Sequence, residues 1–483
     1  MSKSISKNAV FKAALNMFNI ILPILVMPLL TRSLGKDLYG YYGYGDSLTA
    51  YFLIFAGFGI SQYGLREISK VRDNKEKLES TFTSLFLITT FTNILSSTAY
   101  MLYVWIYYKD QPFYYTCLIL GFNIVFNTVY VEWVNEALEN YNFIAIKTMI
   151  VRIVYSALIL IFVRSQESYM FYLLLVVGFN FLNNIISFIY IKRRIKFNFS
   201  NLHFLRHIKP MIYVVILSNT GILYTQLDKI MLKDTPGGTV SVGYYYAAQR
   251  IMTIIYTFLM TIIQVTMPRL SNYLGNDSKE KYISLLTKVI RIYFMLLFPA
   301  AIGLLCLSRE VISVFGSEFM PAVPVLIVFS IYMISLGIEG IIANQIIYLH
   351  GMEKYDAVLV LIGGCINLVL NVVLSKLNML DMVTAIATTL IANLIIIVLE
   401  YIMVKKKIKL DIHIFAYNNM KYLYYSLIFI PITFIVKFFN LNMIITCFIV
   451  VFLCGISYAS ILTLTKDEIY FELLGKALKK IKR

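Results

Sequence analysis

Charge is what this sequence has least of. Only 14% of its 483 residues are charged while 59% are hydrophobic, and the mean hydropathy is +0.75. A soluble domain is about one quarter charged, so a soluble globular chain is excluded. Acidic residues are scarcer than basic ones, 26 against 43, leaving a net charge of +17. The four histidines, His203, His207, His350 and His413, fall at loops or at the ends of apolar runs. The five cysteines, Cys117, Cys306, Cys365, Cys447 and Cys454, all lie within apolar runs and show no metal-ligand spacing. They read as small hydrophobes, so neither a disulfide framework nor a metal site is expected, and no cofactor is implied. There is no HExxH, no phosphate-binding Gly-Lys-Ser loop and no GxSxG. ATP-driven pumping and the common hydrolytic chemistries therefore have no motif to rest on.

What is present is a succession of apolar runs, each about 20 residues or longer, the length a bilayer demands. They fall near 11–34, 42–64, 81–107, 113–136, 143–163, 169–191, 211–231, 242–267, 285–307, 321–349, 355–375, 382–404, 421–438 and 441–464. An all-α integral membrane protein with about fourteen transmembrane helices is expected. Lys3, Lys7 and Lys12 precede the first run and imitate a secretory signal. The run is too long for one and lacks a small-residue cleavage site, so it is expected to stay as the first span.

The basic residues sit in short connectors, which makes them a topology signal and argues against nucleic acid as a partner. With the N-terminus inside, about 33 of the 43 Lys and Arg fall at cytoplasmic ends of spans. Lys192, Arg193, Arg194, Lys196, Arg206 and Lys209 mark one such loop, Lys405, Lys406, Lys407 and Lys409 another, and Lys476, Lys479, Lys480, Lys482 and Arg483 the tail. Both termini are thus expected in the cytoplasm, with membrane lipid headgroups as partners of the basic loops. The 192–210 linker divides the first twelve spans into an N-terminal bundle, 1–191, and a C-terminal bundle, 211–404. The arrangement suggests paired six-helix bundles around a central cavity. Residues 405–483 then hold an extra transmembrane hairpin and a basic tail.

Ionisable side chains inside spans cost at least about 2.5–3.5 kcal/mol at mid-helix and mark cavities or partners. The candidates are Asp46, Glu132, Glu136, Asp228, Lys229, Arg250 and Glu339, with Arg32 at an outer end. Arg32 and Lys229 could equally snorkel to the interface, and Asp228 could pair with Lys229. Amides are also frequent: Asn16, Asn19, Asn123, Asn127, Asn180, Asn183, Asn184, Asn219, Gln226, Gln264, Asn344, Gln345, Asn367 and Asn371. Pairs three or four residues apart share a helical face, where they line a cavity or bond between helices. Pro23, Pro28, Pro299, Gly57, Gly59, Gly64, Gly363 and Gly364 interrupt spans where the backbone can bend.

The segment from Leu22 to Asp73, with PLLTRSLGKDLYGYYGYGDSL and then FAGFGISQYGLREISKVRD, resembles the start of Wzx-type polysaccharide flippases for O-antigen or capsule repeat units. LDKIML at 227–232, GYYYAAQRI at 243–251, MPRLSNYL at 267–274, FGSEFMPAVPVL at 315–326 and INLVLNVVL at 366–374 continue that resemblance in order. It implies the multidrug/oligosaccharidyl-lipid/polysaccharide exporter superfamily, with two six-helix bundles in a V-shaped, MATE-like arrangement and alternating access. It further implies a bacterial plasma-membrane flippase, not an enzyme, that carries undecaprenyl-pyrophosphate oligosaccharide beside a polymerase and other assembly proteins. By the same resemblance Arg32 and Arg250 hold the pyrophosphate; Lys229, an intramembrane cation outside that match, is expected to join them. Asp46, Glu132, Asp228 and Glu339 are left for cavity lining or for coupling to an H+ or Na+ gradient. The alternatives are an ion-coupled multidrug antiporter of the same superfamily and an integral-membrane polymerase. The latter usually needs a large outer loop, and the connectors near 232–241 and 308–320 are short.

Overall fold

A computed structural model describes residues 5–200, 202–276, 278–410 and 412–481; the side chains of 5–21, 24, 213, 216–225 and 477–481 lie outside the description. Among these residues the fold is helical throughout. The first helix, α1 (Ile5–Gly57), takes in the runs expected at 11–34 and 42–57, and its backbone breaks at Gly35, where φ is 72°. Only glycine enters that left-handed region without strain, which lets one continuous stretch change direction between two spans. A second break follows at Phe58 and Gly59, φ 45° and 72°, before α2 (Ile60–Val71).

The chain continues through α3 (Lys75–Tyr108), α4 (Tyr114–Phe126), α5 (Glu132–Ala137), α6 (Tyr141–Phe162) and α7 (Tyr169–Lys192). Next come α8 (Phe204–Leu232), α9 (Gly238–Gly275), α10 (Lys279–Cys306), α11 (Ser308–Val314), α12 (Val323–Ile341), α13 (Glu353–Lys376) and α14 (Met382–Met403). It ends in α15 (Tyr417–Ser426), α16 (Phe429–Phe438), α17 (Met443–Leu464) and α18 (Glu468–Ile481). Two helices carry π-helical turns at their ends, Ile342–Ile347 after α12 and Val404–Ile408 after α14. Twelve stretches of the described residues are long and apolar enough to cross a membrane, one of them, Leu25–Val71, continuous through both breaks. The run expected at 211–231 falls in α8, whose central side chains lie outside the description. This is a multi-pass membrane protein; the exact figure of fourteen spans remains a sequence expectation.

Contacts divide the chain into two compact units. The first runs to Tyr246 and takes in Leu368–Met382; the second comprises Ala247–Asn367 and the chain from Val383 onward. The connection after α7 is shorter than 192–210, because α8 begins at Phe204 and includes Pro210. The first unit packs around Ile60, Tyr63, Phe82, Leu85, Trp133 and Val134. Within it α1 and α9 touch backbone to backbone: a Cβ on Gly40 would stand 2.1 Å from the Thr239 carbonyl oxygen. In the second unit Phe429, Val436, Val450 and Cys454 pack on Ile302 and Leu307, seating the C-terminal hairpin on α10. Lys437 adds an ion pair to Glu310 at 2.9 Å, and Tyr458 donates to the Met295 carbonyl at 3.0 Å. The hairpin's other face is apolar and outward, with Phe434, Phe438 and Phe448 more than 70% exposed, as a lipid-facing surface requires. The tail is helical over Glu468–Ile481, α18. Glu472 on it pairs with Lys288 and Lys476, and Asp467 ahead of it pairs with Lys421.

Candidate functional site

Three polar clusters interrupt the apolar interior, two in the first unit. One gathers at the end of α8, the start of α9 and the second half of α13. Asp228 is fully buried, and its carboxylate accepts a bond from the Tyr245 hydroxyl at 2.5 Å and another from the Asn371 amide at 2.8 Å. Lys229, 1% exposed, holds its ammonium 5.1 Å from the centre of the Tyr246 ring. The hydroxyl of that same tyrosine donates to Asp46 at 2.9 Å. Tyr245 and Tyr246 thus tie Asp46 of α1 and the Asp228–Lys229 pair of α8 to one turn of α9. A cation over an aromatic face is attracted by the ring quadrupole, and more strongly away from water. The structure therefore places Lys229 inside the packing, with its charge against Tyr246.

The second cluster belongs to α5, α6 and α7. Glu132 receives the Lys147 ammonium at 2.9 Å and the Ser187 hydroxyl at 2.6 Å. Lys147 also donates to Ser187 at 2.8 Å and to the Asn183 carbonyl at 3.2 Å, so all three of its protons are placed. Its side chain is 4% exposed. This ion pair ties three helices together.

The third cluster lies in the second unit. Glu339 of α12 accepts a bond from the Asn393 amide of α14 at 2.5 Å. Further along α14, Glu400 is fully buried, with the carboxyl of Asp356 of α13 against it. Among the described residues no group of three or more His, Cys, Asp or Glu is placed to hold a metal ion.

Of the two arginines singled out in the sequence, Arg32 is exposed in the first unit and Arg250 exposed in the second. The amides largely bond between helices: Asn127 to Asn93 at 2.9 Å, Asn180 to Asn123 at 3.1 Å, and Asn367 to Thr389 at 2.9 Å. Gln345 reaches the Ile263 carbonyl at 2.7 Å. Asn16, Asn19 and Asn219 fall outside the described side chains. Sequence reasoning missed Lys147, Asp356 and Glu400, which lie near the ends of their apolar runs. It also missed Tyr245 and Tyr246 as partners of Asp228 and Asp46.

Comparison with known proteins agrees with this architecture. The family model described as "Polysaccharide biosynthesis protein" matches residues 5–274, more than half of the chain. The chain is 23% identical to the "Putative O-antigen transporter" of Escherichia coli (strain K12), over 76% of this chain and 89% of that protein. It is 28% identical to the "Probable low-salt glycan biosynthesis flippase Agl15" of Haloferax volcanii, over 34% of each. Among solved structures, the lipid II flippase MurJ in an inward closed conformation superposes with a TM-score of 0.68 at 15% identity, covering 94% of this chain and 98% of that one. An inward-facing MATE-family multidrug resistance transporter of the MOP superfamily gives 0.62 at 13% identity, over 83% and 98%. These two likenesses establish the fold.

Proposed function

Because the chain belongs to the polysaccharide biosynthesis protein family, we propose that it is a flippase for lipid-linked saccharides. Its substrate is undecaprenyl pyrophosphate carrying an oligosaccharide repeat unit, moved from the cytoplasmic to the outer leaflet of a bacterial plasma membrane for O-antigen or capsule assembly. The observation that carries this reading is a coincidence on one chain: a polysaccharide biosynthesis family match over residues 5–274 and a fold shared along 94% of its length with a lipid II flippase. The bias of Lys and Arg toward alternate connectors supports cytoplasmic termini.

In this reading the exposed Arg32 and Arg250 take the pyrophosphate through charge-assisted hydrogen bonds, the guanidinium fork matching two phosphate oxygens. Lys229 joins them when movement of α9 uncovers it. Asp46, Asp228 and Glu339 line the route or take the coupling ion, H+ or Na+, and Glu132 serves through its pair with Lys147. Alternating access resets the cavity, and a polymerase on the outer face consumes the product.

The test is transbilayer movement of a fluorescent undecaprenyl-pyrophosphate oligosaccharide in proteoliposomes, scored as accessibility on the far side. Wild-type protein accelerates it over empty vesicles, and Arg32→Ala and Arg250→Ala abolish the gain at equal incorporation. No movement of the lipid-linked saccharide, with a small cationic drug carried instead, would replace this reading by a multidrug antiporter, which the shared MATE-type fold also accommodates.

A further inference from the structure

The end of the second unit that bears Lys405, Lys406 and Lys407 buries carboxyl groups for which the described residues offer no ion pair. Glu400 is 0% exposed, and neither of its carboxyl oxygens receives a hydrogen bond. The carboxyl of Asp356 lies against it, and its Oδ1 is likewise buried and without a donor. Glu339 is the next carboxyl inward, close enough to act on Glu400 through space. Asn393 points into the same site: it is 1% exposed, its amide nitrogen serves Glu339 at 2.5 Å, and its oxygen has no partner. The charged and titratable groups around the three acids are few. Lys407 sits on the Tyr355 ring at 3.5 Å and Lys405 over the Tyr401 ring at 5.8 Å. Tyr256 of α9 stands near Glu339 but gives its proton to the Leu336 carbonyl at 3.3 Å.

Two carboxylates side by side cannot both stay ionised, and a buried carboxylate without donors or a cation is costlier still. A metal ion would need a ligand set that the described residues lack. A single proton between the two carboxyls satisfies the pair at once, since the protonated oxygen becomes a donor and the other group its acceptor. The backbone adds an independent sign. The π-helical turn Ile342–Ile347 follows Glu339, and the turn Val404–Ile408 follows Glu400. Such turns are rare and recur at functional sites where a helix shifts register. Two of the three helices that carry this acid cluster, α12 and α14, have one beside it.

We propose that Asp356 and Glu400 hold one proton in common, and that its uptake and release, with Glu339 as the neighbouring carboxyl, couples the transport cycle to the proton gradient. The inference rests on the transport reading above and assigns its proton site. On release the O–H bond of the pair breaks to water at the lysine-bearing end; on uptake it re-forms.

The experiment is infrared spectroscopy of the full-length protein in phosphatidylcholine and phosphatidylglycerol vesicles, following the C=O stretch of protonated carboxyls against pH. It is run on wild type, Glu400→Gln and Asp356→Asn, beside the transbilayer assay under an imposed pH gradient. Wild type shows a protonated-carboxyl band at neutral pH that each substitution removes, and both variants lose the response of transport to the gradient. Two near-isosteric variants guard against one misfolding. A band unchanged in both variants, absent from wild type at neutral pH, or removed by sodium at fixed pH overturns the proposal. If the band behaves as stated while wild type moves no lipid-linked saccharide, the flippase reading falls and the shared proton stands.

Discussion

Replacing Lys147 by methionine tests whether Glu132 holds helices together or carries an ion. At 2.9 Å and an effective dielectric near 20 the gross attraction of the pair is about 6 kcal/mol. Desolvation of both ions offsets much of that, so the net worth of the intact pair is small. Removing one partner is another matter, because the Glu132 carboxylate stays in place with only neutral donors, Ser187 at 2.6 Å and Asn135 at 3.5 Å. Breaking a buried pair in this way costs about 3–5 kcal/mol, and with Glu132 14% exposed the lower end is expected. Glu132→Gln with Lys147→Met should recover most of that loss, giving a favourable coupling in a double-mutant cycle. Trp133, 1% exposed and adjacent to Glu132, reports unfolding locally; the only other tryptophan, Trp105, is 58% exposed. The assay is denaturant-induced unfolding in mixed micelles followed by that fluorescence. A cost below about 1 kcal/mol for Lys147→Met, or no coupling in the cycle, refutes the structural reading. So does a double variant that folds but loses its response to an ion gradient, since Glu132 would then serve the cycle directly.

Three further outcomes follow from single contacts. Gly40→Leu must push α1 from α9, because its Cβ would meet the Thr239 carbonyl at 2.1 Å, whereas Gly57→Ala meets nothing within 4 Å. Overpacking of this kind costs about 1–3 kcal/mol, so thermal unfolding in detergent should show a loss for the first and none for the second. Tyr245→Phe removes a donor from the buried carboxylate of Asp228 and should cost about 1.5–3 kcal/mol by the same measurement. Equal stability would show that the other partners of Asp228, Asn371 among them, suffice. Outside the membrane, Lys288 and then Lys476 hold the Glu472 carboxyl down from its usual 4.5 to about 2. A lowered value means that its contribution is complete above pH 4.5 and is lost as pH falls toward about 2. Hydrogen exchange in α18 should accelerate only in that window, and acceleration already near neutrality would implicate another group.

The membrane fold was legible because hydropathy and loop charge are local quantities, and each expected run falls in helix. The break at Gly35 was not, since a glycine in an apolar run carries no sign of its φ. The helix α18 did leave a signal, Ile469 and Leu473 four residues apart on one helical face, which the density of lysines in the tail masked. Among site residues, Glu339 stood out because it lies well inside its apolar run, and Asp228, three residues from the end of 211–231, because it stands beside a second charge, Lys229. Lys147, Asp356 and Glu400 lie within a few residues of run ends, where a long or acidic side chain is expected to reach water. Their burial depends on neighbouring helices, not on depth along their own. The same holds for partners: Asn371 meets Asp228 across 143 residues of chain, and no local pattern announces that contact.

The consecutive tyrosines of α9 show what such long-range contacts add. Neighbouring helical residues point about 100° apart, so Tyr245 and Tyr246 leave a single turn in different directions, the first to Asp228 of α8, the second to Asp46 of α1 and Lys229 of α8. Rotation of this turn that breaks the Tyr245 bond also carries the Tyr246 ring away from the ammonium. The two acids and the lysine therefore cannot be rearranged independently. The close approach at Gly40 fixes where α9 can pivot, because its backbone already touches α1 there. A change at Asp228 that moves Tyr245 therefore reaches Lys229 and Asp46 through one helical turn.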